Sequence, residues 1–333
     1  MEFGSVPLDR AEGAVLAHSL ATPQGRLKKG RVLSAADIDA LREAGADEVV
    51  VARLGAGDVG EDEAARRIAA ALVPDADAAR VRVTAASTGR VNVYAIGPGV
   101  LELDAARVHA MNRVDPMLTL ATLPPYAATQ ERTMLATVKV ISYGAAAEAV
   151  DRAAEAVRDA LRVRPVVMRD AGLILTDLGQ GPGKGEAAME GRLSALGMTL
   201  AETRVVPHRT EAIAEALRDL PGEMALILTA SATSDAADVG PMALQRAGGR
   251  VIRFGMPVDP GNLLFVGDLA GRPVIGLPGC ARAPALNGAD WVLERLVCGL
   301  PVGDAEIADM GVGGLLKESP ARPHPRERAG RKG

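Results

Sequence analysis

Two rhythms of apolar and polar positions divide the chain. From residue 163 onward, short unbroken apolar runs alternate with amphipathic stretches. Gly172-Leu173-Ile174-Leu175-Thr176, Ala225-Leu226-Ile227-Leu228-Thr229, Val251-Ile252-Arg253-Phe254, Leu263-Leu264-Phe265-Val266 and Val274-Ile275-Gly276-Leu277 read as strands, with a further strand around Thr203, Val205 and Val206. Continuous apolar runs of this kind suit strands buried on both faces. Between them, helices are predicted at 186–196, at 211–220 behind a Thr210 cap, from Pro241 to Ala247, and at 285–296, the last carrying the only tryptophan, Trp291. Strand and helix in alternation predict an α/β domain over 163–300: a doubly wound, mostly parallel sheet flanked by helices.

Before residue 163 the pattern is shorter and more mixed, predicting a smaller α+β region at the N-terminus. A strand at 15–20 precedes the turn Pro23-Gln24-Gly25. Ser34 is placed to cap a helix over 35–44, with Asp37 in the first turn and Ile38 and Leu41 on the apolar face. Gly45 ends it, a strand follows at 48–51, and a second helix runs over 61–72 to Pro74. From residue 81 short β-like runs alternate with turns. Residues 134–141 are the clearest strand, and the Ala-rich stretch 145–161 reads as one long bridging helix. The expected divisions are therefore 1–80, 81–162, 163–300 and a tail over 301–333. After Lys317 that tail lacks apolar periodicity and is expected to be disordered.

Composition narrows the function classes. Lys and Arg number 38 against 42 Asp and Glu, a net charge of −4, so neither nucleic acid nor an anionic membrane is an expected partner. Aromatic residues make up only 2%, too few for a base-stacking platform. Two cysteines, Cys280 and Cys298, exclude a disulfide scaffold. The first ten residues lack the order of a signal peptide, and no apolar run reaches the roughly 20 residues of a membrane span. A cytoplasmic protein is expected.

In an open α/β sheet, ligands gather where parallel strands end, and three loops at predicted strand ends carry candidate chemistry. Asp177-Leu178-Gly179-Gln180-Gly181-Pro182-Gly183-Lys184-Gly185 combines glycines, which let backbone N–H groups approach an anion, with Lys184 and a following helix N-terminus. It is no Walker A loop, because Leu178 stands at the first glycine and Gly185 at the Ser/Thr after the lysine. The second loop, 229–241, crowds Ser231, Thr233 and Ser234 with the carboxylates Asp235 and Asp238. Its hydroxyls suit phosphate or pterin oxygens, and Asp235 is a candidate Mg²⁺ contact. Asp238 has the plainer reading of a helix cap. The third site pairs Met256-Pro257-Val258-Asp259-Pro260-Gly261-Asn262 with Gly276-Leu277-Pro278-Gly279-Cys280-Ala281-Arg282, two rigid segments suited to a pocket wall. Cys280 beside Arg282 fits a wall thiol better than a nucleophile, since no motif supplies a histidine base.

These segments carry a family resemblance. Gly276-Leu277-Pro278-Gly279 resembles the Gly-Leu-Pro-Gly-Asn-Pro segment of the molybdopterin-binding domain found in the MoeA and MogA proteins of molybdenum cofactor biosynthesis. Thr229-Ala230-Ser231-Ala232-Thr233-Ser234-Asp235 occupies the place of that family's Thr-Gly-Gly-Val-Ser-Val-Gly loop, and Thr176-Asp177 that of its Thr-Gly-Asp. The chain departs from the pattern at Ala230-Ser231, at Cys280-Ala281, and at His208, where the family commonly has Asp. The resemblance implies a MogA/MoeA-like fold, a homodimer, and binding of molybdopterin or the molybdenum cofactor. The expected contacts are Gly181, Gly183, Lys184, Ser231, Thr233, Ser234, Asp235, Asn262, Pro278, Gly279, Cys280 and Arg282. A MoeA-like molybdenum insertion would use Mg²⁺ with Asp177, Asp235 or Asp238. The competing expectation is a non-catalytic carrier or a regulatory module that has lost the ligand. Implied partners are a nucleotidyltransferase or a molybdoenzyme.

Overall fold

A computed structural model describes residues 1–181 and 183–316, so the expected disorder of the tail from residue 317 lies outside the described residues. The chain folds into two compact units, Met1–Gly97 with Leu101–Arg164, and Pro98–Val100 with the chain from Pro165 onward.

The first unit holds two apolar cores. One gathers Leu16, Leu33 and Leu41 beneath a small antiparallel sheet in which Glu48–Arg53 lies between Glu2–Pro7 and Val15–Leu16. Its helix, Ala35–Glu43, starts at Ser34 through a reciprocal cap: Ser34 Oγ accepts from the Asp37 N–H, and Asp37 Oδ2 accepts from the Ser34 N–H at 3.0 Å. That backbone hydrogen bond, with help from Arg31, holds the Asp37 carboxyl below its ordinary value. The second core packs helices Glu61–Leu72 and Ala147–Ala156 with an antiparallel four-stranded sheet that includes Arg90–Ala95 and Met134–Val140. The long helix expected over 145–161 is shorter. It stops at Ala156, Asp159 takes a left-handed φ of 51° and donates its N–H to Ala71 O, and Leu161–Pro165 continues as a strand.

The second unit is built on one sheet. Its elements are β1 (Asp170–Asp177), α1 (Glu186–Ala195), β2 (Thr199–Pro207), α2 (Thr210–Asp219), β3 (Met224–Leu228), α3 (Val239–Arg246), β4 (Arg250–Phe254), β5 (Phe265–Leu269), β6 (Arg272–Gly276) and α4 (Gly288–Val297). Strand order is β2-β1-β3-β6-β5-β4. The first four run parallel, whereas β5 is antiparallel to both neighbours, so the six-stranded sheet is mixed. The reversal is local in origin. Leu269 pairs with Arg272 across Ala270 and Gly271, whose φ values of 53° and 85° make the tight turn that suits a two-residue hairpin.

Burial on both faces accounts for the unbroken apolar runs. Leu173, Leu175, Leu226 and Leu228 join Met189 and Leu193 of α1 and Val292 and Leu293 of α4. Ile174 and Ile227 join the other core with Ile213 and Leu217 of α2, Leu244 of α3 and Phe265. Three helix starts differ from the sequence expectation: α4, expected from 285, begins at Gly288 behind an Asn287 cap. α3 begins at Val239, with Asp238 as its cap and Pro241 inside the first turn. α2 begins at Thr210 itself, with Arg209 at the capping position and no side-chain cap.

Candidate functional site

Parallel strands that end on one rim bring together loops far apart in sequence. The loops after β1, β3 and β6 meet there around a hollow of about 480 Å³, lined by Gly181, Gly183, Lys184, Ala230, Gly279, Cys280, Arg282 and Ala283. The glycine content of the first loop has a backbone cause: Gly179, Gly181 and Gly183 have φ values of 91°, 90° and 69°. Gly185 answers a different constraint, because a Cβ there would lie 2.6 Å from Leu228 Cδ2. α1 starts directly after Gly185 without a side-chain cap, so its first N–H groups leave positive potential beside Lys184.

Arg282 binds the three loops to one another. From the loop after β6 its guanidinium donates to Lys184 O at 3.0 Å in the first loop and to Thr229 O at 2.8 Å in the second. Burial lowers its pKa from the ordinary value, yet an arginine stays charged in proteins. Arg192 of α1 acts on the same loop from beneath. It donates to Ala281 O at 3.0 Å, Ala283 O at 2.8 Å and Ala285 O at 3.1 Å, and forms a buried ion pair with Asp290 at 2.5 Å. Among the described residues, the hollow's lining holds two cationic side chains, Lys184 and Arg282, and no carboxylate.

The carboxylates expected to act here are turned to their own backbone. Asp177 Oδ1 accepts from the N–H groups of Gly179 and Gln180, at 2.8 and 3.0 Å. Asp235 Oδ1 accepts from the Ala237 N–H at 2.8 Å. Asp238 accepts from Val239 and Ser234 N–H groups, as a helix cap does. Among the described residues no three His, Cys, Asp or Glu side chains gather where they could hold a metal ion.

Of the expected contacts, Gly181, Gly183, Lys184, Gly279, Cys280 and Arg282 come together in the first hollow, while Ser231, Thr233, Ser234, Asp235, Asn262 and Pro278 are not among its lining. Thr233 is buried, 3.3 Å from Thr229 Oγ1. Asn262 lies in the segment after β4, where its carbonyl accepts the Met256 N–H. A second hollow of about 460 Å³ lies around Asp177, Leu178, Gly179 and residues 205–209. There His208 sits between two hydroxyls, with Nδ1 2.8 Å from Thr176 Oγ1 and Nε2 3.1 Å from Ser231 Oγ. Thr176 also accepts the Ala230 N–H at 2.6 Å. Sequence reasoning passes over Arg192 and the Thr176–His208 pair. For the latter a signal exists: Thr176 and Val206 are register partners near the ends of neighbouring parallel strands, which puts His208 at the same rim.

A family profile described as a domain of unknown function (DUF8806) matches residues 5–53, within the first unit. No curated protein matches the chain. Among solved structures, the chain is similar to a molybdopterin biosynthesis MoeA protein from Pyrococcus horikosii, at 10% identity and a TM-score of 0.28, covering 84% of this chain and 70% of that one. A molybdenum cofactor biosynthesis protein from Pyrococcus furiosus matches at 12% identity and a TM-score of 0.25, over 92% of this chain and 65% of that one. CinA, a protein of unknown function from Thermoplasma acidophilum, matches at 17% identity and a TM-score of 0.25, over 34% of this chain and 90% of that one. These are distant structural resemblances. Among the described residues no helix is long and apolar enough to cross a membrane.

Proposed function

We propose that the strand-end rim of the second unit binds molybdopterin, or its molybdenum-loaded form, through the ligand's phosphate. The observation that carries this reading is the first hollow. Three loops converge there on a cation-bearing lining with no carboxylate among the described residues, beside an uncapped helix start. Its size, about 480 Å³, lies within the range of small-ligand sites. Lys184 supplies the direct charge for the phosphate, and Arg282 holds the loops that frame it. The choice of a pterin phosphate among organic phosphates rests on the sequence resemblance of Gly276-Leu277-Pro278-Gly279 and of the loop 229–235.

We propose binding as the role, with no part for Mg²⁺. Asp177, Asp235 and Asp238 each spend a carboxylate oxygen on their own loop and do not converge. Titration of the purified protein with molybdopterin, followed by the fluorescence of Trp291, tests the reading. Saturable binding that Lys184→Ala weakens about tenfold is expected, the scale of one charge-assisted contact. Absence of saturation, or an affinity indifferent to Lys184→Ala, rejects it.

A further inference from the structure

Hydrogen-bond accounting around His208 gives Ser231 a defined role. Thr176 is buried, and its Oγ1 has two polar partners, the N–H of Ala230 at 2.6 Å and His208 Nδ1 at 2.8 Å. A threonine hydroxyl carries one hydrogen and two acceptor lone pairs. The Ala230 N–H takes a lone pair, so the hydroxyl hydrogen has one acceptor within reach, His208 Nδ1. The opposite assignment would leave a buried O–H without an acceptor, which native structures rarely tolerate. An imidazole that accepts at Nδ1 is neutral and carries its proton on Nε2. Nε2 lies 3.1 Å from Ser231 Oγ, so Ser231 accepts there. Its own hydrogen then has no acceptor among the described residues.

We propose that His208 is a positioning residue that holds Ser231 as a directed hydrogen-bond donor to an anionic oxygen of a ligand bound at this rim. The relay runs one way, from Ala230 N–H through the Thr176 hydroxyl to His208 Nδ1, and from Nε2–H to Ser231. The same polarity takes Ser231 out of service as a nucleophile, since a base must accept the serine proton and Nε2 donates instead. Position supports a ligand role. Ala230, its neighbour in the chain, lines the first hollow, His208 lines the second, and Ser231 is exposed. The donor role rests on the phosphate-binding reading above, whereas the direction of the relay does not.

Two measurements test the proposal. Long-range ¹H–¹⁵N correlation spectra of histidine-labelled protein at pH 8, without ligand, report which ring nitrogen bears the proton, and His208→Gln assigns the signal. A proton on Nε2 is expected, and a proton on Nδ1 overturns the relay. Titration with inorganic pyrophosphate then separates direction from function. Ser231→Ala is expected to weaken binding about tenfold and His208→Ala about threefold, the double variant matching Ser231→Ala alone. Effects that multiply instead overturn the positioning role. Wild-type protein that binds no pyrophosphate at millimolar concentration overturns the phosphate reading and the donor role together, while the spectra still decide the relay.

Discussion

The two rims of the six-stranded sheet are built from the same residue types and use them differently. Where the parallel strands begin, charges close on one another. Arg169 donates to Glu223 Oε1 from Nε and Nη2, at 2.9 and 2.7 Å, and Asp170 accepts the Glu223 N–H at 2.9 Å. The Arg169 N–H, which donates to Glu223 Oε2 at 2.7 Å, contributes most to holding the Glu223 carboxyl below its ordinary value, and the Arg169 guanidinium adds to it. Arg272, at the start of β6, donates to Leu217 O and Leu220 O at the end of α2, where a cation suits the exposed carbonyls. At the opposite rim the signs are separated. Asp177, Asp235 and Asp238 turn to backbone N–H groups, and Lys184 has no ion-pair partner among the described residues. One rim uses charge to hold the fold together. The other uses carboxylates to shape loops and leaves positive charge facing a hollow.

A buried ion pair lies beneath the strand-end rim, and the largest expected effect lies there. Arg192→Ala removes a guanidinium whose side chain is only 10% exposed, as is that of its partner Asp290. Breaking a buried pair from one side costs about 3–5 kcal/mol, and denaturant unfolding should show a loss of that size with the m-value unchanged. A smaller loss would mean that the loop at 279–285 holds itself. Next is Glu294, whose carboxyl burial, with Asp290 adding to it, pushes up to about 7 from 4.5. The folded protein then holds a proton that the unfolded chain releases above about 4.5. The buried proton therefore favours folding at low pH, and that contribution is lost as pH rises from about 4.5 through about 7. The shift corresponds to roughly 3 kcal/mol. Glu294→Gln should accordingly stabilise the protein by about 2–3 kcal/mol at pH 8 and change little at pH 4.5, as read from paired unfolding curves. Equal effects at both pH values would show that the side chain is not titrating in its buried place.

What the sequence reveals divides along the range of the interactions. The helix expected over 61–72 is Glu61–Leu72, and Ser34 caps the earlier helix Ala35–Glu43 as expected, because period and capping chemistry are written in adjacent residues. The glycines of 177–185 are legible as a loop for the same reason. Gly181, Lys184 and Arg282 can be placed at strand ends once the strands are found, and strand ends on a parallel sheet share a rim. Contacts between distant positions are another matter. Arg192 reaches Asp290 across 98 positions, and Thr176 reaches His208 across 32. An arginine on a helix and a threonine at the end of a strand look ordinary in sequence, and only the fold supplies their partners. The hairpin at Ala270-Gly271 escapes for a local reason: its first turn residue is alanine, which carries no turn signal although it adopts φ 53°.

The smallest effects separate the rims most cleanly, because they compare one cation with another. Lys184→Ala and Arg169→Ala each delete a single positive charge from the same unit, so their effect on net charge is identical. If anion binding followed overall charge, both would weaken pyrophosphate affinity alike, and added salt would erase the difference. If the hollow is the site, Lys184→Ala should cost about tenfold, while Arg169→Ala, whose guanidinium is already engaged by Glu223, should stay within about twofold. Calorimetric titration at low and at physiological salt reads both. Equal losses for the two variants would reduce the rims to one diffuse field and remove the reason for placing a ligand at either.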